Sequence, residues 1–196
     1  MIITKTPYRI SFFGGGSDYP SWYKKFGGSV LSTTIDKYIY ISCRELPPFF
    51  DHKYRIVWSK IENVKTINEI KHLTVRKLIK YNKIKSGLEI HYDGDLPARS
   101  GMGSSSSFSV GLMRALNNHQ HRDIKDINLA YKTIFFEQKI MKETVGSQDQ
   151  IAASVGGFNK INFLKNDKIL IKKILSNNLK KLNSNLLLLY TGIQRN

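Results

Sequence analysis

Apolar positions along this chain alternate in some stretches and recur every three or four residues in others, and the two periods mark out its elements. Tyr8 to Phe13 reads as a strand that ends in Gly14-Gly15-Gly16. A short amphipathic segment, Tyr19 to Phe26, carries Trp22, Tyr23 and Phe26 on one side, and Gly27-Gly28 breaks it. Ser29 to Ile35 and Lys37 to Arg44 are β-branched and aromatic-rich, which predicts paired strands. Lys53 to Trp58 alternates as a further strand. Ile67 to Tyr81 has helical spacing through Ile70, Leu73, Leu78 and Tyr81, and Leu88 to Tyr92 returns to strand. A helix over Phe108 to Leu116 opens at a run of serines and ends near Asn117-Asn118. Asp123 is placed to cap a longer helix, Ile124 to Met141, and Ser147 to cap a short one through Ala153. Gly156-Gly157 precedes a strand pair, Phe158 to Phe163 and Lys168 to Ile174. The continuous apolar run Leu186 to Tyr190 reads as a buried strand.

Composition bounds this picture. The 196 residues, 41% hydrophobic and 23% charged, suffice for one domain with a real core. A single cysteine, Cys43, excludes an internal disulfide and fits a reducing compartment. The N-terminus lacks the apolar stretch of a signal peptide, and Leu186 to Tyr190 is too short to span a bilayer. A cytoplasmic protein with no membrane partner is expected. The formal charge is +16, from 31 Lys and Arg against 15 Asp and Glu. Such a field attracts nucleic acid, anionic membrane or phosphorylated small molecules. The lysines are dispersed, however, and no basic stripe interleaved with aromatics occurs. Compositional drift accounts for the charge better, and no nucleic-acid partner is expected.

Chemistry concentrates in four places. Pro97 to Ser107 joins a strand to a helix through Gly101, Met102, Gly103, Ser104, Ser105 and Ser106. Glycines allow the turn, and the free N–H groups and dipole of the helix start favour an anion, most often phosphate. The Walker pattern fails for want of a lysine after Gly103, a dinucleotide fingerprint lacks its third glycine, and no G-x-S-x-G occurs. A flexible Gly/Ser linker is the alternative. The second place is Arg9 to Tyr19, where Gly15, Gly16 and Ser17 permit close ligand approach and Asp18 offers two oxygens to sugar hydroxyls. A turn in which Asp18 caps the next helix is the alternative. The third is Gly146-Ser147-Gln148-Asp149-Gln150, an acid among small residues near a helix start. The fourth is Glu137, whose ordinary fate would be a solvated helix charge.

Taken together, these segments resemble the small-molecule kinase family of galactokinase, homoserine kinase and mevalonate kinase, the GHMP kinases. Pro97, Gly101, Met102, Gly103, Ser104 and Ser105 match its nucleotide loop, P-x-x-x-G-[LM]-G-S-S, with Met102 where leucine is usual. Arg9 to Tyr19 is similar to its first motif and Gly146 to Gln150 to its catalytic-aspartate turn. Galactokinases carry Gly-Glu-His-Thr-Asp-Tyr where this chain has Gly14-Gly15-Gly16-Ser17-Asp18-Tyr19. With Gly28 to Tyr38, that triple-glycine version resembles the D-glycero-D-manno-heptose 7-phosphate kinases.

The resemblance implies an α+β fold, the N-terminal domain of the GHMP kinase fold (ribosomal protein S5 domain 2-like), as a two-layer mixed sheet with helices. It implies ATP as co-substrate, Mg2+, and phosphorylation of the anomeric C1 hydroxyl of the heptose 7-phosphate to the 1,7-bisphosphate. Asp149 and Arg9 would be catalytic, and Gly101 to Ser106 would hold nucleotide. Gly15, Gly16, Ser17 and Asp18 would hold sugar, and Ser105 and Glu137 the metal. Lys24, Lys25, Lys37 and Arg99 are positional candidates for the 7-phosphate. Family chains normally continue into a ferredoxin-like second domain. Residues 1–190 are therefore expected to be the ATP-binding domain and 191–196 the start of a missing one, the chain being either a fragment or one half of a pair supplied separately, with weak or absent activity for these residues alone. A non-catalytic remnant that binds nucleotide or sugar phosphate, and a kinase for fucose or galactose, stay open, as does homo-oligomerisation.

Overall fold

The computed structural model describes residues 1–98, 100–189 and 192. Arg99, named above for the 7-phosphate, lies outside them, as do Tyr190 and, apart from Gly192, the segment 191–196. Among the described residues, seven strands make one mixed sheet, ordered β4-β3-β5-β2-β6-β7 with β1 beside β2. The strands are β1 (Ile2–Phe13), β2 (Gly28–Glu45), β3 (Tyr54–Val57), β4 (Ile61–Val64), β5 (Leu88–Gly94), β6 (Phe158–Phe163) and β7 (Ile169–Lys173). All pairings are antiparallel except β3 with β5. The helices are α1 (Pro20–Phe26), α2 (Leu73–Tyr81), α3 (Ser104–His119), α4 (Asp126–Phe135), α5 (Gln148–Val155) and α6 (Asn178–Ser184). The α+β class and mixed sheet with helices are as the resemblance implied.

Helix α3 is the centre of the helical layer. It is buried from Ser106 to Met113, and Gly111 sits where a Cβ would come 2.7 Å from Oγ1 of Thr6 on β1. A methyl there would push the helix off the sheet. The main core joins Val110, Leu112, Met113 and Leu116 of α3 to Ile39 and Ile41 of β2, Ile90 of β5 and Leu78 of α2. Burying such side chains contributes about 1.5–3 kcal/mol each.

Several expectations are corrected. Ser29 to Ile35 and Lys37 to Arg44 are not two paired strands but the single strand β2, since Asp36-Lys37 makes no turn and β1 runs alongside with a shift between Pro7 and Arg9. The helix expected over Ile67 to Tyr81 begins only at Leu73, after a 3-10 turn at Ile67–Glu69. Glu62 accepts hydrogen bonds from the backbone N–H groups of Lys71 and His72, and this holds the chain out of the helical path. Asp123 caps nothing: α4 starts at Asp126 behind Lys125, and after Phe135 it widens into a π turn, Phe136–Met141. Of the aromatic face of α1, only Tyr23 is buried, while Trp22 and Phe26 pack against each other at a tilt outside it. Leu186 to Leu189 is no buried strand. It is exposed coil with no partner strand among the described residues, and Leu187 is 81% exposed. Strand β4 and helix α6 were not anticipated, because four or seven residues carry too little periodicity.

Candidate active site

A cleft of about 1650 Å³ opens where the end of β1, the loop before α3 and the start of α5 meet. Strand alternation turns Arg9 toward this cleft, and the guanidinium grips Asp149 with both arms. Nε donates to Oδ1 at 2.6 Å and a terminal nitrogen donates to Oδ2 at 2.8 Å. The other terminal nitrogen donates to the carbonyl of Gly101 at 3.0 Å, and the Arg9 backbone N–H donates to the carbonyl of Met102. One arginine thus fixes the glycine-serine loop and the aspartate in a single frame. Bidentate guanidinium–carboxylate pairs add orientation as well as energy.

The loop is left-handed at both Gly101 (φ 77°) and Gly103 (φ 75°), where a side chain would be strained. A Cβ on Gly103 would also stand 3.2 Å from Oδ2 of Asp149. Gly103 is the N-cap of α3 and brings no capping side chain, so the first-turn amides keep their capacity for an anion. Ser104 and Ser105 lie in that turn, and Ser105 is exposed to the cleft. Ser106 is buried and its hydroxyl donates to Oε2 of Glu137 at 2.9 Å. The serine paired with Glu137 is therefore Ser106 rather than Ser105.

Glu137 is no solvated helix charge. It is 1% exposed at the start of the π turn, and burial pushes its carboxyl up to about 7. Gln150 donates to Oε2, while Oε1 has no hydrogen-bond partner among the described residues. Among the described residues no three His, Cys, Asp or Glu side chains converge.

Asp18 is also buried, at 1% exposure, and it caps a helix, though not the next one. Its Oδ2 accepts from the backbone N–H of Gln148 at 3.0 Å, at the start of α5 and 130 residues away. Its Oδ1 accepts from the backbone N–H of Gly16 at 3.1 Å and from Nε2 of Gln148 at 3.4 Å. Ser147 holds the N-cap position of α5 without capping it, and its hydroxyl accepts from Gln138 instead. Ser17 points away from Asp18 and donates to the carbonyls of Gly14 and Ser29. Gly15 and Gly16 line the cleft, as does Lys37. Lys24 is paired with Asp167 at the surface, and Lys25 is exposed on α1. The sequence reading missed Gln148. The signal was its place beside Asp149, but its carboxylate partner lies too far along the chain to be read from spacing.

The chain is similar to several known proteins. Residues 66–157 match the family described as GHMP kinases N terminal domain. Among curated proteins, it is 28% identical over 206 residues to the D-glycero-alpha-D-manno-heptose 7-phosphate kinase of Campylobacter jejuni, covering 99% of this chain and 60% of that protein. It is 25% identical over 201 residues to the galactokinase of Pyrococcus furiosus, covering 99% of this chain and 54% of that one. The crystal structure of a D-glycero-D-manno-heptose 1-phosphate kinase from Bacteriodes thetaiotaomicron has the same fold, with a TM-score of 0.82 at 24% identity over 91% of this chain and 61% of that one. The chain thus spans little more than half the length of the curated relatives it matches. Among the described residues no helix is long and apolar enough to cross a membrane.

Proposed function

We propose that this chain serves transfer of the γ-phosphoryl group of ATP to the anomeric C1 hydroxyl of D-glycero-D-manno-heptose 7-phosphate, giving the 1,7-bisphosphate. The observation that carries the reading is the Arg9–Asp149 pair tied to the carbonyl of Gly101. It sets an acid and a cation beside a helix start suited to phosphate, and the 28% identity to a heptose 7-phosphate kinase supports the substrate. Amides of Gly101 to Ser106 hold the nucleotide phosphates, with Ser104 and Ser105 adding hydroxyls. Asp149 orients the acceptor hydroxyl and takes its proton, and Arg9 steadies charge on the transferring group. Little covalent work falls to the protein, so alignment of these groups accounts for most of the rate. Gly15 and Gly16 give the sugar room. Asp18 acts from behind, holding α5 in place.

Mg2+ fits the donor set. A hard cation that takes one or two carboxylates plus substrate oxygens suits Glu137, whose Oε1 lacks a partner, together with the hydroxyls of Ser105 and Ser106. When bound it would neutralise phosphate charge. A cytoplasmic setting, where ATP and sugar phosphates are found, fits this reading.

Calorimetry with Mg-ATP and the heptose 7-phosphate, beside a coupled assay for ADP, tests the reading. Binding of both ligands, with weak turnover at most from these residues alone, is expected on the kinase reading. Binding without turnover would make the chain a module that only holds nucleotide or sugar phosphate. Preference for galactose or fucose would reassign the acceptor, a reading that the galactokinase likeness favours. Binding of neither ligand would overturn the proposal.

A further inference from the structure

Two buried polar atoms flank the cleft without a hydrogen-bond partner among the described residues, and they are complementary. Oγ of Ser11 and Oε1 of Gln148 are both shielded and unpaired. Both residues border the cleft, and the Cβ position of Gly15 lies 3.6 Å from Oγ of Ser11 and 3.6 Å from Nε2 of Gln148. Gln148 is 93% buried if its 7% exposure is taken as the remainder, and its Nε2 is already committed to Asp18. The carbonyl end is therefore turned away from that carboxylate. Ser11 follows Arg9 by two positions on β1, in unbroken register from Arg9 to Ser11, so the two side chains share a face. Gln148 precedes Asp149 on α5. The unpaired couple thus lies two residues along β1 and one residue along α5 from the Arg9–Asp149 pair.

A buried acceptor left unpaired is costly, and the unmet group invites a ligand that supplies the missing bond. A hydroxyl matches both atoms at once, donating to Oε1 of Gln148 and accepting from Oγ of Ser11. Its place beside Arg9 and Asp149 puts it next to the hydroxyl that is phosphorylated. Asp18 has both oxygens occupied by internal donors, so it acts as a positioning residue that fixes the amide of Gln148.

Resting on the kinase reading above, we infer that Ser11 and Gln148 form a subsite for the hydroxyl vicinal to the reacting one, which is the C2 hydroxyl of an anomeric acceptor. The subsite selects vicinal diols and rejects 2-deoxy sugars.

The probes are D-glycero-D-manno-heptose 7-phosphate and its 2-deoxy analogue, with Kd measured by calorimetry in the presence of a non-hydrolysable ATP analogue and Mg2+. The unaltered protein is expected to bind the deoxy sugar on the order of 10- to 100-fold more weakly. Gln148→Leu should weaken binding of the parent sugar by a similar factor and bring the ratio of the two dissociation constants close to one. Ser11→Ala, a smaller change at a less buried position, should compress the same ratio without altering the fold. Equal binding of both sugars by the unaltered protein overturns the inference while leaving the kinase reading intact. Retention of the full ratio in Ser11→Ala and Gln148→Leu overturns it as well, because a purely structural role would weaken both sugars alike. Failure of the unaltered protein to bind either sugar defeats the kinase reading, and the inference with it.

Discussion

A Cβ on Gly146 would stand 1.9 Å from Oδ2 of Asp18, the oxygen that accepts from the backbone N–H of Gln148. The glycine and the aspartate lie in different motifs, yet each fixes what the other can be. Gly146→Ala must displace a buried carboxylate from its donors, at a cost of roughly 1–3 kcal/mol. Urea unfolding should show this loss, and substrate affinity should fall with it. Gly101→Ala is the contrast, since among the described residues nothing beyond its chain neighbours lies within 4 Å of its Cβ position and only the strain of a left-handed residue, about 1–2 kcal/mol, is expected. Equal stability of Gly146→Ala and the parent would contradict the close approach.

Asp149→Asn keeps the shape of the side chain and removes its charge and basicity. Turnover should fall by about 10²–10⁴-fold, while ATP binding, carried by the loop from Gly101 to Ser106, survives. A coupled assay beside calorimetry separates the two effects. Near-normal turnover in this variant would remove Asp149 from the reaction.

Burial raises the Glu137 carboxyl to about 7 from 4.5. The folded state then binds this proton more tightly than the unfolded state does. Glu137's contribution to stability is full below pH 4.5 and is lost as pH rises to about 7. The full swing is roughly 3 kcal/mol. Urea midpoints measured in EDTA from pH 4.5 to 8 should fall less steeply for Glu137→Gln than for the parent. Parallel profiles would contradict the shift.

Cys43 is buried on β2, and burial lifts its thiol to about 12. Little thiolate exists at pH 8, so thiol reagents should modify it only as fast as the protein opens. Its labelling rate should therefore track denaturant concentration. Rapid labelling in native buffer would be inconsistent with the packing of β2.

The local pattern was informative wherever an element is stabilised by its own neighbours. Phe158 to Phe163 is a strand with the bounds that its alternation predicted, and the three motifs do converge on one cleft. Distant partners were invisible. Nothing near Ile70 signals that Glu62 will take the amides of Lys71 and His72. Spacing likewise cannot pair Ser106 with Glu137 or Asp18 with Gln148, because those bonds depend on how β1, α3 and α5 are packed. The apolar run at Leu186 failed differently. Four leucines in a row fit a buried strand only if a neighbouring strand receives them, and a sequence pattern does not supply the neighbour.

Arg9 and Asp149 are separated by 140 residues. During synthesis at 5–20 residues per second, the guanidinium emerges about 7–28 s before its carboxylate. Once the glycine-serine loop has emerged, and until Asp149 follows, it has an arginine to hold it but no acid. The cleft therefore comes into being late, with α5, and a ribosome-bound chain shorter than that helix carries the glycine-serine loop without the carboxylate that faces it.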